Sequence, residues 1–576
     1  MRSLVCTLFV LASAAARAQA PANVDGFVRA EGTRFTVHGQ PFTVVGANVA
    51  VMHGRAQRER MPETLAAAAA DGATVVRVWA LGEYPSDAPA WARDYAFRIG
   101  PDGWVEESFA HLDRVLVTAR ELGLRVIVVL ANRWGDYGGI PAYLQWAGHE
   151  PLGRHPPALA LTAFYEGEEH EARYREHVRR VVGRVNALTG LPYREDPTIF
   201  AWELINEAEG AGAIGEEAML RWMDRQARFV RELDPAHMIA AGHIGYSRRR
   251  DRALWARACA LEPISYCDSH AYPLRNGRVR TRQGLARWID DRVALARHVG
   301  KPLLFGEIGV PAERRAVHGV PRARWLSAFF ERALRGGAAG AMVWAYLPSE
   351  ARPRTYAIYA HGERARQTRD LRRAVARVAR RARRGLPRVR PLPASDAPLF
   401  DPTVRLRGPA TVHDRWTPAE DGALLLRIDP RAFERAEFEG AGVHDGEPGL
   451  PHFYGAGAGF VSYRVRLPRE LGSLTVRLRT SSELPGAGGS VSDADVSTLT
   501  IAIDDVVIGT LTAPPDDGMG AWVELTVSDP AVLRAIAARR GVRRLEIRAG
   551  TEGAGGVCLY ATTETGEPVG VELRAR

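Results

Sequence analysis

DPTIFAWELINEAEG, residues 196–210, places a short apolar run directly before an Asn-Glu pair. Thr198 to Leu204 has the length and composition of an interior parallel strand, and Ile205-Asn206-Glu207 falls where that strand would emerge. In a barrel, a carboxylate at the carboxyl end of a strand stands where reacting groups are found. In an unrelated fold the same Glu would merely cap a loop. The surrounding sequence has to supply the barrel and a second carboxylate.

Working outward, apolar runs alternate with helical stretches. The strand candidates are Phe42 to Asn48, Thr74 to Trp79, Arg125 to Ala131, Thr198 to Leu204, Met238 to Gly242, Ile264 to His270, Pro302 to Glu307 and Ala341 to Ala345. The 3.6-residue apolar period predicts helices over Pro62 to Ala70, Phe109 to Leu122, Glu171 to Leu188, Glu216 to Leu233, Leu285 to His298, Arg322 to Leu334 and Arg364 to Arg384. Eight such strands over about 350 residues fit a (β/α)8 barrel better than an open doubly wound sheet. No Gly-x-Gly-x-x-Gly follows the first strand, which argues against a dinucleotide site. Phe27 to Pro41 reads as a small hairpin leading in, and the Gly-, Pro- and His-rich insertion Trp146 to Tyr165 is expected at the barrel's carboxyl face.

The chain opens with Arg2, an apolar run from Leu4 to Ala16, and Ala18-Gln19-Ala20, the pattern of a secretory signal cut after Ala20. Cleavage would take Arg2 and Arg17 from the formal net charge of +10, leaving +8. Residues 1–20 are therefore read as the signal, 21–385 as the barrel domain, 386–402 as a stiff Pro-rich linker and 403–576 as a separate domain. In that last part, runs such as ALLLRI, FVSYRVRL, SLTVRLRT, TLTIAID and VRRLEIRAG alternate by twos between turn residues, which predicts a β-sandwich. Only Pro530 to Ala538 looks helical there, and the Gly-rich pieces Gly486 to Ser490 and Gly553 to Gly556 read as loops.

The fold class is thus α/β, a TIM barrel followed by an all-β sandwich, exported to an extracellular or periplasmic compartment. No other segment reaches the roughly 18 uncharged apolar residues that a membrane helix needs. The basic run Arg364 to Arg390 carries Leu371, Val375 and Val378 at helical spacing, so an amphipathic helix with a solvated Arg face explains it better than nucleic-acid binding. After signal removal Cys259, Cys267 and Cys558 remain, an odd number; a Cys259–Cys267 bridge is open to either answer.

KPLLFGEIG, residues 301–309, ends the seventh strand in Glu307. Glu207 and Glu307 then occupy the same relative place on strands four and seven, able to face one another across the barrel mouth. Such a pair is what glycoside hydrolysis needs: one acid protonates the leaving oxygen, and one carboxylate attacks the anomeric carbon. Arg77, at the end of strand two, supplies a permanent cation to hold the attacking carboxylate ionised. His270 and Tyr272 end strand six in SHAYP, and Trp344 ends strand eight in MVWAY, where its face could meet a sugar ring. On this reading the pKa of Glu207 is raised and that of Glu307 stays low.

RVW (77–79), NRWGDYGG (132–139), YLQWAG (143–148), LTGLPYREDPTIFAWELINE (188–207), SHAYP (269–273) and KPLLFGEIG (301–309) together resemble glycoside hydrolase family five, and within it the endo-β-1,4-mannanases of plant and fungal type. The resemblance covers roughly residues 25–380. It implies a retaining (β/α)8 hydrolase with Glu207 as acid/base and Glu307 as nucleophile, needing no metal or organic cofactor. Arg77, Asn206, His270, Tyr272 and Trp344 match family active-site positions, with Asn206 expected at a sugar 2-hydroxyl and Tyr272 on the nucleophile. Trp134, Tyr137 and Trp146 are expected along sugar subsites.

The chain departs from the family after Glu207, where Ala208 and Glu209 replace a usual Pro, and after Pro273, where Leu274 stands for an acidic residue. At the end of strand five, GHIGY puts His243 where mannanases commonly carry Glu. The expected partner is a β-linked polysaccharide. Two other readings are a family-five glycosidase or transglycosylase on another β-glycan, and a barrel that binds polysaccharide without turnover. In the sandwich, Trp416, Phe453, Tyr454, Tyr463 and Trp522 are candidates for a sugar platform or for core packing.

Overall fold

The computed structural model describes residues 25–576 apart from 210–211, 247–250, 275–278, 313–314, 351–354, 390–403, 439, 444–451, 457, 483–495, 515–519, 551–555 and 563–568. The signal segment, most of the linker and most of the two Gly-rich pieces lie outside the described residues.

Eight parallel strands form the barrel: β1 Val44–Val49, β2 Val75–Trp79, β3 Arg125–Val129, β4 Ile199–Glu203, β5 Met238–Ala240, β6 Cys267–Ala271, β7 Leu303–Ile308 and β8 Gly340–Leu347. They pair in chain order from β1 to β5 and from β6 to β8, and β8 returns to β1. The β5–β6 seam is closed by the parallel bridge Ala240↔Tyr266 and by Ser265 N donating to Ile239 O at 2.8 Å.

A helix follows each strand: α1 Met61–Ala70, α2 Glu106–Glu121, α3 Glu168–Val182, α4 Gly212–Leu233, α5 Asp251–Ala260, α6 Arg282–Val299, α7 Arg322–Gly336 and α8 Arg369–Arg383. Helix α8 buries Leu371, Val375 and Val378 and turns most of its arginines outward, as the spacing predicts, while half-buried Arg372 donates to Asp71 at 2.6 Å. Helix α3 stops six residues short of the expected Leu188. Gly183 breaks it, and buried Asp113 draws the following chain aside, accepting from Arg184 at 2.7 and 2.9 Å and from Tyr193 Oη at 2.6 Å. Helix α5 and the insertion helices Gly139–Trp146 and Ala158–Glu166 were not anticipated.

Period-two alternation sorts each strand between two environments. On β2, Val76 and Val78 face the helices, while Val75, Arg77 and Trp79 climb the barrel interior from floor to mouth. The floor is sealed by the N-terminal segment, which is a three-stranded antiparallel sheet, Arg29–Glu31, Arg34–Val37 and Gln40–Phe42, rather than a two-stranded hairpin. Its fully buried Phe35 lies edge-on to Phe200 and Tyr266, with centroids 5.1 and 5.4 Å away.

Beyond the linker, two largely antiparallel sheets pack on a second core that includes Leu426, Phe438, Val461, Leu478, Ile501 and Leu573. The strand Leu474–Ser481 shows why: Leu474, Val476 and Leu478 are buried while Thr475, Arg477 and Arg479 alternate outward. A helix spans Pro530–Ala537, as expected. Phe453 and Tyr463 are core residues, and Trp522 lies under the Arg477 guanidinium at 4.8 Å. Among the described residues, no helix is long and apolar enough to cross a membrane.

Candidate active site

At the centre of the mouth is Arg77, fully buried, with its guanidinium shared among strands β1, β2, β4 and β7. Nε and Nη2 donate to the Glu203 carboxylate at 2.8 and 2.6 Å; Nη1 donates to Asn48 Oδ1 and Glu307 Oε1, both at 2.9 Å; Nη2 also reaches Asn206 Oδ1 at 2.7 Å. The planar fork of Arg suits this two-sided grip, which a Lys could not reproduce. Burial alone would lower its pKa, but Glu203, Glu307 and Asp268 outweigh that and raise it. The cation is therefore permanent.

Glu207 leaves β4 with φ of +56°, a left-handed conformation that only a few per cent of non-glycine residues adopt. Its carboxylate accepts from His270 Nδ1 at 2.7 Å and from the Trp134 indole at 2.5 Å. Glu307 accepts from Arg77 and from Tyr272 Oη at 2.5 Å, and lies 3.4 Å from His270 Nδ1. One oxygen of Glu207, one of Glu307 and one nitrogen of His270 all fall within 4.8 Å of one another. Gly309 makes room for Tyr272: a Cβ there would stand 2.1 Å from the phenol ring.

The electrostatics reverse the expectation from sequence. Burial favours the neutral form of Glu207, yet the His270 hydrogen bond and charge, the Trp134 indole and Arg133 hold its pKa down to about 2. Burial also opposes the charge on His270, but Glu307, Glu207 and Asp268 push its pKa up to about 9. For Glu307 burial dominates, helped by repulsion from Glu207, over the pull of His270, Arg77 and Tyr272, and its pKa is raised. The reason is that Arg77 gives its two-bond face to Glu203, whereas His270 brings a second cation directly onto Glu207. Asp268, buried behind His270 with Oδ2 3.8 Å from Nε2, is pushed up to about 7, first by burial.

Of the residues singled out from sequence, Glu207, Glu307, Arg77, Asn206, His270, Tyr272 and Trp134 converge. Asn206 accepts from Arg77 at Oδ1 and donates an N–H to Asn132 Oδ1 at 2.9 Å, which leaves its second amide N–H for another acceptor. Trp344 lies 5.9 Å from Trp79, and Tyr137, at φ +59°, stacks on His53 at 4.1 Å and stands edge-on to Trp79 at 5.7 Å. His243 is one layer out: it is buried, its Nδ1 accepts from Gly245 N at 3.0 Å, and its pKa is lowered to about 4 by burial and by the His270 charge. The Trp146 indole donates to Tyr84 O at 3.1 Å, and its ring lies 5.0 Å from the Arg98 guanidinium.

Sequence reading missed Glu203, Asn48, Asn132 and Asp268. Glu203 had a signal, a charge inside an otherwise apolar buried run, which is rare unless it is paired. By spacing, Glu203–Asp268–His270 and Glu207–His270–Glu307 could each surround a cation. Arg77 already supplies positive charge to both trios, and the oxygens of the second accept N–H or O–H donors. Two close carboxylates, one bonded to a proton-carrying imidazolium and one to a fixed guanidinium, suit proton transfer and nucleophilic attack at one carbon.

A family model described as GH family 5 beta-mannosidase-like matches residues 25–362. Mannan endo-1,4-beta-mannosidase 1 of Oryza sativa subsp. japonica is 30% identical over 379 residues, spanning 60% of this chain and 84% of its own length. Mannan endo-1,4-beta-mannosidase 3 of Arabidopsis thaliana is 28% identical over 359 residues, 56% of this chain and 82% of its own. Among solved structures, an endo-1,4-beta-mannanase from Rhizomucor miehei matches with a TM-score of 0.52 at 21% identity, covering 62% of this chain and all of that one. An endo-beta-1,4-mannanase from Thermotoga petrophila matches at 0.50 and 22% identity, covering 74% and 95%. These two likenesses speak for the fold.

Proposed function

The chain belongs to the glycoside hydrolase family 5 β-mannosidase-like family and is a glycoside hydrolase; from this we propose that it cleaves β-1,4-mannosidic linkages in mannan, glucomannan or galactomannan by double displacement with retention. The observation that carries the reading is the approach of Glu207 and Glu307, with one oxygen of each inside 4.8 Å. Retaining glycosidases set their carboxyl groups about 5–5.5 Å apart, whereas inverting ones need roughly 6.5–9.5 Å to admit water between them.

In the first step a Glu307 oxygen bonds to the anomeric carbon as the glycosidic C–O bond breaks, and Glu207 gives a proton to the departing oxygen. Arg77 and Tyr272 orient Glu307. The proton that Glu207 needs is held in the resting site on His270 Nδ1, in the 2.7 Å hydrogen bond between them. Neutral Glu207 beside neutral His270 contains the same number of protons as the resting ion pair. A substrate that excludes water favours that neutral form, because burial penalises charge separation. In the second step Glu207 takes a proton from water, whose oxygen attacks the anomeric carbon and frees Glu307.

Export is part of the proposal. Its support is the charged, apolar and small-residue order of positions 1–20.

Reducing-end release from galactomannan, glucomannan, β-glucan and cellulose tests the substrate, and NMR of the first-formed anomer tests retention. Mannan-type substrates should be cleaved fastest with a β-anomer product. Cleavage of β-glucan alone would replace the substrate, and binding without any cleavage would remove the enzymatic reading.

A further inference from the structure

The aromatic rings around the site do not end at the mouth. Trp79 stands beneath the Arg77 guanidinium at 5.9 Å and beside Trp344, also at 5.9 Å. It meets Tyr137 at 5.7 Å, and Tyr137 packs against the small apolar cluster built on Tyr84, Ala88, Ala92 and Ala96. Tyr84 in turn holds Trp91 edge-on at 6.1 Å. Trp91 is the outermost ring of this series and is 59% exposed.

This exposure is on a fixed turn. Trp91 belongs to the short helix Ala90–Arg93, whose Ala92 is fully buried. Arg93 ties the turn down, donating to Ala88 O at 3.0 Å and Ser86 O at 2.9 Å. Tyr84 is pinned through its carbonyl, which accepts from Gly100 N at 2.7 Å and from the Trp146 indole. The whole segment follows the carboxyl end of β2, on the same face of the barrel as Glu207 and Glu307. Holding a large apolar ring in water forgoes its hydrophobic stabilisation unless something covers it.

We propose that Trp91 is a distal sugar-binding platform, which stacks on a hexose unit of the same β-1,4-linked chain several units from the bond being cut. Its partner chemistry is the apolar C–H face of a neutral sugar ring, for which a rigid aromatic face is suited. Trp91 lies in the segment that follows β2, on the face of the barrel where Glu207 and Glu307 stand, and the buried Tyr84 beneath it holds its ring in place. The inference rests on the substrate reading above and adds to it a preference for long chains.

The test uses the full chain and a series of β-1,4-manno-oligosaccharides of increasing length, comparing wild type with Trp91→Ala and Trp91→Phe. The ratio of kcat/KM for the longest to the shortest cleaved substrate should fall about tenfold in Trp91→Ala, a loss of ~1.4 kcal/mol in the distal contact, and largely recover in Trp91→Phe. A Trp91→Ala profile parallel to wild type at every length overturns the platform and leaves the substrate reading intact. A wild type that cleaves none of the series, yet cleaves gluco-oligosaccharides, overturns the substrate reading instead.

Discussion

His270 donates to Glu207 and lies 3.4 Å from Glu307, so its proton is part of the reaction inventory and the pH profile should report it. Its folded pKa is raised to about 9. Activity that depends on the shared proton is therefore present below that value and is lost as pH climbs through it. His270→Asn removes the imidazole and leaves Glu207 to carry its own proton, so the alkaline limb of kcat/KM against pH should move to lower pH; an unmoved limb would contradict the shared-proton account. Glu207→Gln should cost roughly 10²–10⁴ in kcat, the usual contribution of a positioned acid. Glu203 makes a different prediction. It holds Arg77 by two bonds in a fully buried pair, and removing one partner of such a pair costs about 3–5 kcal/mol. Glu203→Gln should lower the urea midpoint accordingly. The residue scale is also where sequence was least readable: Glu207 and Glu307 announce themselves at strand ends, but the direction of their pKa shifts depends on which cation reaches which oxygen. No spacing encodes that.

Elements were more legible than residues, because helices and strands impose periods on the sequence. All eight barrel strands fall on apolar runs, and the sandwich strands follow from alternation by twos. Helix α5 escaped notice because its ten residues are too few to show more than one repeat of the apolar pattern, and arginines precede it. The end of α3 escaped because Asp113, some seventy residues earlier in the chain, draws Arg184 and Tyr193 out of helical order. Helix α6 offers a clean test of local forces. Thr281 caps it, its hydroxyl accepting from Gly284 N at 3.0 Å, and the cap is not among the groups that hydrogen-bond to Glu207 or Glu307. Thr281→Ala should lower stability by about 0.5–2 kcal/mol in urea titration while kcat stays at the wild-type value.

On the scale of the molecule, the two principal cores share no residue: one is built from barrel and helices, the other from the sandwich sheets. Separate cores unfold as separate cooperative units, so calorimetry on the full chain should show two transitions. Phe35→Ala identifies the barrel's, since deleting a fully buried Phe costs about 3–5 kcal/mol and should depress that transition alone. Phe35 has a second consequence. The barrel interior beneath the site is filled by side chains and its lower end is covered by the N-terminal sheet, so the carboxylates are reached from the mouth. Once Glu307 carries a sugar, the water that frees it and any second sugar that might take its place arrive through the same opening and compete for the same side of the anomeric carbon. Were a sugar hydroxyl to reach that carbon ahead of water, the chain would be lengthened instead of shortened, so the product sizes formed at high substrate concentration would read how crowded the entrance is.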